Sequence, residues 1–228
     1  MRTNPVMLVH GFAMSFERNW RESGWIDLLG DAGRQIIGVD LIGHGSSDKP
    51  HEAEAYADMH RDLASHLPSD GTPVDAIGFS LGAELILRLA AEQPASFGRI
   101  VVAGVGENLF SDQRTSRIAD AIRGTSDDSD RVAAQFVQYA SAGGNDRLAL
   151  AAVLDRPRTP IDPASLAAIT NEVLVVLGDK DFIGSADPLM AALPNATLVM
   201  LKGVDHFATP KDMEFLDKAL EFLEAVPW

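Results

Sequence analysis

The 228-residue chain carries 33 acidic residues against 19 basic ones, a formal net charge of −14, and no cysteine. An acidic surface repels phosphate backbones and anionic headgroups, which argues against nucleic-acid and membrane-surface partners. The missing thiol excludes cysteine catalysis, thiolate metal sites and disulfides together, and a chain this long buries roughly three-quarters of its unfolded surface, enough for one core without staples. The N-terminal MRTNPVMLVHGF makes a poor secretory signal and no run approaches a bilayer span, so a soluble, cytoplasmic protein is expected.

In chain order, the first predicted strand is VMLVHG (6–11), followed by a helical pattern near 20–32. QIIGVD (35–40) and a helix near 54–67 follow, then VDAIGF (74–79) running directly into a helix at 81–93. RIVVAGV (99–105) is the fourth strand. VLVVLGD (173–179) and ATLVMLKG (196–203) are the fifth and sixth, each followed by a helical pattern, near 186–193 and 211–225. These strands are almost continuously apolar, as strands covered on both faces must be. Strands alternating with helices imply right-handed βαβ units, hence a single α/β domain over 1–228 with a doubly wound, mainly parallel sheet of about six strands.

Residues 111–160 are too long for one crossover helix. SDQRTSRIADAIRG, SDRVAAQFVQYASA and NDRLALAAVLD read as three amphipathic helices, and Pro157, Pro160 and Pro163 lead the chain back. Two placements fit: a small helical lid over the C-terminal edge of the sheet, where open α/β sheets bind ligands, or ordinary outer helices.

GFSLG (78–82) sits where a strand becomes a helix. A G-x-S-x-G turn of that kind forces the serine into a strained backbone and exposes its hydroxyl above the sheet, at the positive end of the next helix. A serine hydroxyl needs a base, and the base an orienting acid. Both residue types follow later strands: Asp181 in GDKDFIG and His206 in KGVDHFATP.

Together LVHGF (8–12), GVDLIGHGSSDKP (38–50), GFSLG, LGDKD (177–181) and GVDHF (203–207) resemble the α/β-hydrolase superfamily along essentially the whole chain. The resemblance implies Ser80 as nucleophile, His206 as general base and Asp181 as its orienter. The backbone N–H groups of Phe12 and Leu81 would form the oxyanion hole, with no cofactor and no metal. It also implies structural roles for His10 and His44. His51, His60 and His66 fall in polar stretches and are expected on the surface. Asp179 and Asp205 neighbour the expected acid and base, and Glu107 follows the fourth strand where some relatives carry the acid. Asp127, Asp128 and Asp130 read as a solvated helix start, because EF-hand spacing is missing.

The chain departs from parts of the family pattern. The antiparallel strands that often open this fold are not expected ahead of the strand at 6–11, and the first loop reads HGFAM rather than HGGG. Serine at the elbow argues against the aspartate-dependent epoxide hydrolases and haloalkane dehalogenases. Phe207 stands where many carbon–carbon bond hydrolases carry Trp.

Phe12, Met14, Phe16, Leu81, Phe136, Tyr139, Phe182, Ile183 and Phe207 are the expected pocket lining. Their bulk favours a small-molecule carboxylic ester with an apolar acyl or aryl group, cleaved through an acyl-enzyme. The same residues would also serve carbon–carbon cleavage of a diketone-like substrate, acyl transfer, perhydrolysis or a non-catalytic receptor. The insertion also carries Arg114, Arg117, Arg123, Arg131, Arg147, Arg156 and Arg158; one of them meeting a substrate carboxylate would favour a dioic monoester or a carbon–carbon hydrolase substrate, and the sequence does not single one out.

Overall fold

All six expected strands form, and each lies within or beside its predicted span. They are β1 Val6–Val9, β2 Ile36–Val39, β3 Val74–Phe79, β4 Phe97–Ala103, β5 Val173–Gly178 and β6 Ala196–Leu201. They make one sheet in the order β2-β1-β3-β4-β5-β6, every pairing parallel. The computed structural model describes residues 3–111, 116–125, 131–142 and 144–226.

The pleat sends alternate side chains into two cores. Met7, Val9, Ala76 and Val175 pack under α2 (Met59–Ala64), α3 (Leu81–Glu92) and α7 (Asp187–Ala192) on one face. Val6, Leu8, Ile77 and Val176 pack under α1 (Trp25–Asp31) and α8 (Met213–Phe222) on the other. Caps set several helix starts: Asp212 accepts from the N–H groups of Glu214 and Phe215 at 3.0 and 3.1 Å to open α8. The 20–32 pattern is broken, because Gly24 at φ 86° separates a π-helical turn at Glu17–Arg21 from α1.

The insertion between β4 and β5 contains α4 (Ser116–Arg123), α5 (Arg131–Ala140) and α6 (Arg147–Asp155). Ala119, Ile122, Ala140, Leu150 and Ala151 form a separate small core that also takes Ala13 from the loop after β1. Asn145 ties the two together, its Nδ2 donating to the carbonyls of Ala13 (3.1 Å) and Tyr139 (3.0 Å). Arg114, Asp127, Asp128 and Asp130 lie outside the described residues. Among the described residues no helix is long and apolar enough to cross a membrane.

The sheet order reverses between β1 and β3: β2 lies to one side of β1, and β3 and all later strands lie to the other. Open α/β sheets form their ligand crevice at such a switch, outside the carboxyl ends of the strands.

Candidate active site

Ser80 follows β3 at this switch, with φ 52° and ψ −113°. A non-glycine residue in such a conformation costs on the order of 1–3 kcal/mol, so its surroundings must hold it. Its N–H donates to Ala103 O (2.8 Å), and its carbonyl accepts from Glu84 N in the first turn of α3 (3.0 Å). Gly82 is required by close approach, since a Cβ there would lie 2.3 Å from Val9 O and 2.7 Å from His10 O. Gly78 answers the same need against Ala83.

The loops after β5 and β6 bring Asp181 and His206 to the serine. His206 Nε2 lies 3.0 Å from Ser80 Oγ, and Nδ1 lies 2.9 and 3.0 Å from the two Asp181 oxygens. Both side chains are buried, at 3% and 0% exposure. With Nδ1–H donated to the carboxylate, Nε2 carries the lone pair that accepts the Ser80 hydroxyl proton. Asp181 Oδ1 is itself held by Ile183 N (3.1 Å). The neighbouring acids are engaged elsewhere. Asp179 accepts from Gly203 N (2.7 Å), Asp205 from Ala208 N (2.9 Å), and the Glu107 side chain packs beside Gly184.

Phe12 follows β1, and Leu81 is the first residue of α3. Among the described residues neither backbone N–H meets an acceptor. Ala13, next to Phe12, is held at φ 58° with its methyl fully buried, a second strained position at the same edge. His10 braces this loop from below. Leu41 N–H donates to its Nε2 (3.1 Å), which leaves Nδ1–H to donate to Gly11 O (2.8 Å). Burial pushes His10 down to about 4 and, with His10 beside it, pushes His44 down to about 3. Both rings are therefore neutral struts with no acid–base part at ordinary pH. His51 pairs with Asp146 (2.9 Å) and His60 with Glu92 (3.1 Å), while His66 is exposed.

Two cavities flank the Ser80–His206 pair. One, of about 20 Å³, has room for roughly one water and is bounded by Phe12, Met14, Phe79, Phe136, Tyr139, Phe207 and Pro210. Its rings are in contact, with Tyr139 stacked on Phe207 at 5.4 Å and Phe136 edge-on to Phe207 at 5.3 Å. The other, of about 120 Å³, adds Leu81, Glu84, Asn108, Ile118, Leu154, Arg156, Arg158, Phe182 and Ile183. Phe16 is a correction to the expected lining: it borders neither cavity. A Cβ on Gly38 would lie 2.5 Å from the Phe16 ring, which fills the recess over β2 and packs against the core. Sequence reasoning overlooked Glu84 and Asn108. A lone acid inside the apolar LGAELIL was the available signal for Glu84, since a buried carboxylate demands cationic partners.

The chain belongs to the alpha/beta hydrolase family, whose model matches residues 6–218. It is 38% identical over 106 residues to a haloalkane dehalogenase of Mycolicibacterium paratuberculosis, a stretch covering 43% of this chain and 33% of that protein. It is 28% identical over 221 residues to the 2-(acetamidomethylene)succinate hydrolase of Mesorhizobium japonicum, covering 83% and 78%. In fold it is similar to a bromoperoxidase from Bacillus anthracis, with a TM-score of 0.74, 22% identity, and 98% and 92% of the two chains covered.

Proposed function

We propose that the chain is a serine hydrolase that cleaves small to medium carboxylic esters through an acyl-enzyme. The observation that carries this reading is the continuous relay from Ser80 Oγ to His206 Nε2 (3.0 Å) and from His206 Nδ1 to Asp181 (2.9 Å). His206 takes the hydroxyl proton as Ser80 attacks the ester carbonyl, and Asp181 stabilises the imidazolium that forms. The Phe12 and Leu81 N–H groups then receive the oxyanion, each contributing on the order of 3 kcal/mol at the transition state. His206 passes its proton to the leaving alcohol, then takes one from water as the hydroxide adds to the acyl carbon, and returns it to Ser80 Oγ as the acid leaves.

Helices α4, α5 and α6, within the 111–160 insertion, act as a lid in this reading. The carbonyl ties from Asn145 and the α5 rings Phe136 and Tyr139 bordering the site support that role. An alkyl or aryl group enters the smaller cavity only when those rings part. Serine at the elbow counts against the halide displacement named for the mycobacterial relative, and Phe207 counts against carbon–carbon cleavage.

Hydrolysis of p-nitrophenyl esters from acetate to decanoate tests the reading. A chain-length optimum that disappears in Ser80→Ala supports it. Activity that survives in Ser80→Ala removes Ser80 as nucleophile.

A further inference from the structure

The larger cavity beside Ser80 is charged on one wall. Arg156 and Arg158, 10% and 18% exposed, face Glu84, itself 7% exposed and on the first turn of the elbow helix. Arg123 and Arg147 in the insertion are used elsewhere: Arg123 pairs with Asp120 and Asp155, and Arg147 donates to Ile122 O. Arg117 and Arg131 are exposed.

Glu84 cannot satisfy what surrounds it. Arg88, outside the cavity, takes Oε1 with Nε and Nη2 at 3.1 and 3.0 Å. Oε2 is left for both remaining guanidiniums, at 3.3 Å from Arg158 and 3.7 Å from Arg156. The second of these exceeds hydrogen-bond reach. Arg158 Nε is buried and has no hydrogen-bond partner. Burial alone would raise the Glu84 carboxyl, yet Arg158, Arg156 and Arg88 hold it below its ordinary value, so it is ionised and already fully used. Two cations and one anion thus border this cavity, and the same three side chains also border a neighbouring recess of about 170 Å³ with Arg88 and Asp58, inside a chain of net charge −14. A desolvated cation without a counter-charge is costly, and a planar guanidinium fork fits a carboxylate in particular. Asn108 also borders the cavity, its Oδ1 accepting from Gly106 N at 2.8 Å.

We infer that Arg156 and Arg158 form a carboxylate-binding subsite, so that the substrate is an ester bearing one free carboxylate a short chain away from the scissile carbonyl. The inference rests on the hydrolase reading of Ser80. Size agrees with it: about 120 Å³ approaches the roughly 150 Å³ at which an apolar cavity of another protein admits benzene. The substrate then spans the site, its carboxylate against the arginines and its apolar end among the aromatic rings.

Two matched pairs of esters, followed by pH-stat, test this. Monomethyl glutarate against methyl pentanoate places the charge on the acyl side; 4-acetoxybutanoate against butyl acetate places it on the alcohol side. The charged member of at least one pair should be favoured about tenfold or more in kcat/KM. Arg158→Gln should bring that ratio close to one, and Arg158→Lys should keep part of it. Calorimetric titration of Ser80→Ala with glutarate should show binding that Arg158→Gln removes. Turnover of neutral esters with no charge preference in either pair and no glutarate binding overturns the subsite and leaves the hydrolase reading standing. Glutarate binding that depends on Arg158, with no ester turned over, upholds the subsite and removes the hydrolase reading. A preference that survives Arg158→Gln overturns the assignment. Should the Arg158 variants not fold, the wild-type ratios and glutarate titration decide it alone.

Discussion

His10 and His44 make the fold sensitive to mild acid, and replacing one of them measures how much. Both side chains are fully buried. Their rings lie 5.2 Å apart, and His44 also meets Phe12 edge-on at 5.7 Å. Folding moves His10 from 6.5 to about 4 and His44 from 6.5 to about 3, burial being the main cause in each. Between those folded values and 6.5 the unfolded chain binds protons that the native protein does not, so stability rises with pH through this window. It is fully present above about 6.5 and is lost as pH falls below it. Linkage over the interval from pH 7.5 to 5 gives a loss of about 2 kcal/mol for each ring, about 4 kcal/mol for the pair. That is a large share of the roughly 5–15 kcal/mol that stabilises a typical domain.

His44→Phe keeps a ring against Phe12 and removes one titration. Its Nε2 has no hydrogen-bond partner to lose, and Nδ1 makes one contact, to Ile42 O at 3.1 Å. Urea unfolding at pH 7.5 and pH 5, read from the buried Trp20 and Trp25, should show the variant losing about 2 kcal/mol less than wild type over that interval. The comparison cancels the titration of surface carboxylates common to both. Equal losses in the two proteins, within about 0.5 kcal/mol, would refute the buried-neutral account of this pair.

Two further outcomes follow from the elbow and its relay. Gly82→Ala places a methyl 2.3 Å from Val9 O and 2.7 Å from His10 O, both backbone atoms, and should cost about 3 kcal/mol or more in urea unfolding. Asp181→Asn should keep the circular-dichroism spectrum and lower kcat by about four orders of magnitude, because the amide no longer holds Nδ1–H of His206 toward it.

The strands were legible because each is a run of β-branched and aliphatic residues with no competing helical period, and burial on both faces is what such a run encodes. Helix breaks were less legible. Gly24 splits the 20–32 pattern through its positive φ, a choice that glycine permits without announcing. Ser80, Asp181 and His206 were readable because each sits just past a strand, so topology alone brings them to one edge. Phe16 shows the limit: its apolar character fits pocket or core equally, and the bare Cα of Gly38 across β2 decides for the core. The arginines show another. Arg156 and Arg158 differ in sequence from Arg123 and Arg147 in nothing that predicts facing Glu84; the turn of the chain after α6 determines it.

The claim that Ser80 is an activated nucleophile is tested most directly by covalent labelling. The protein is incubated with a fluorophosphonate and its intact mass and labelled peptide are read. The account predicts a single adduct on Ser80, absent in Ser80→Ala and slowed in Asp181→Asn. An adduct on another residue, or none while ester turnover persists, would contradict it.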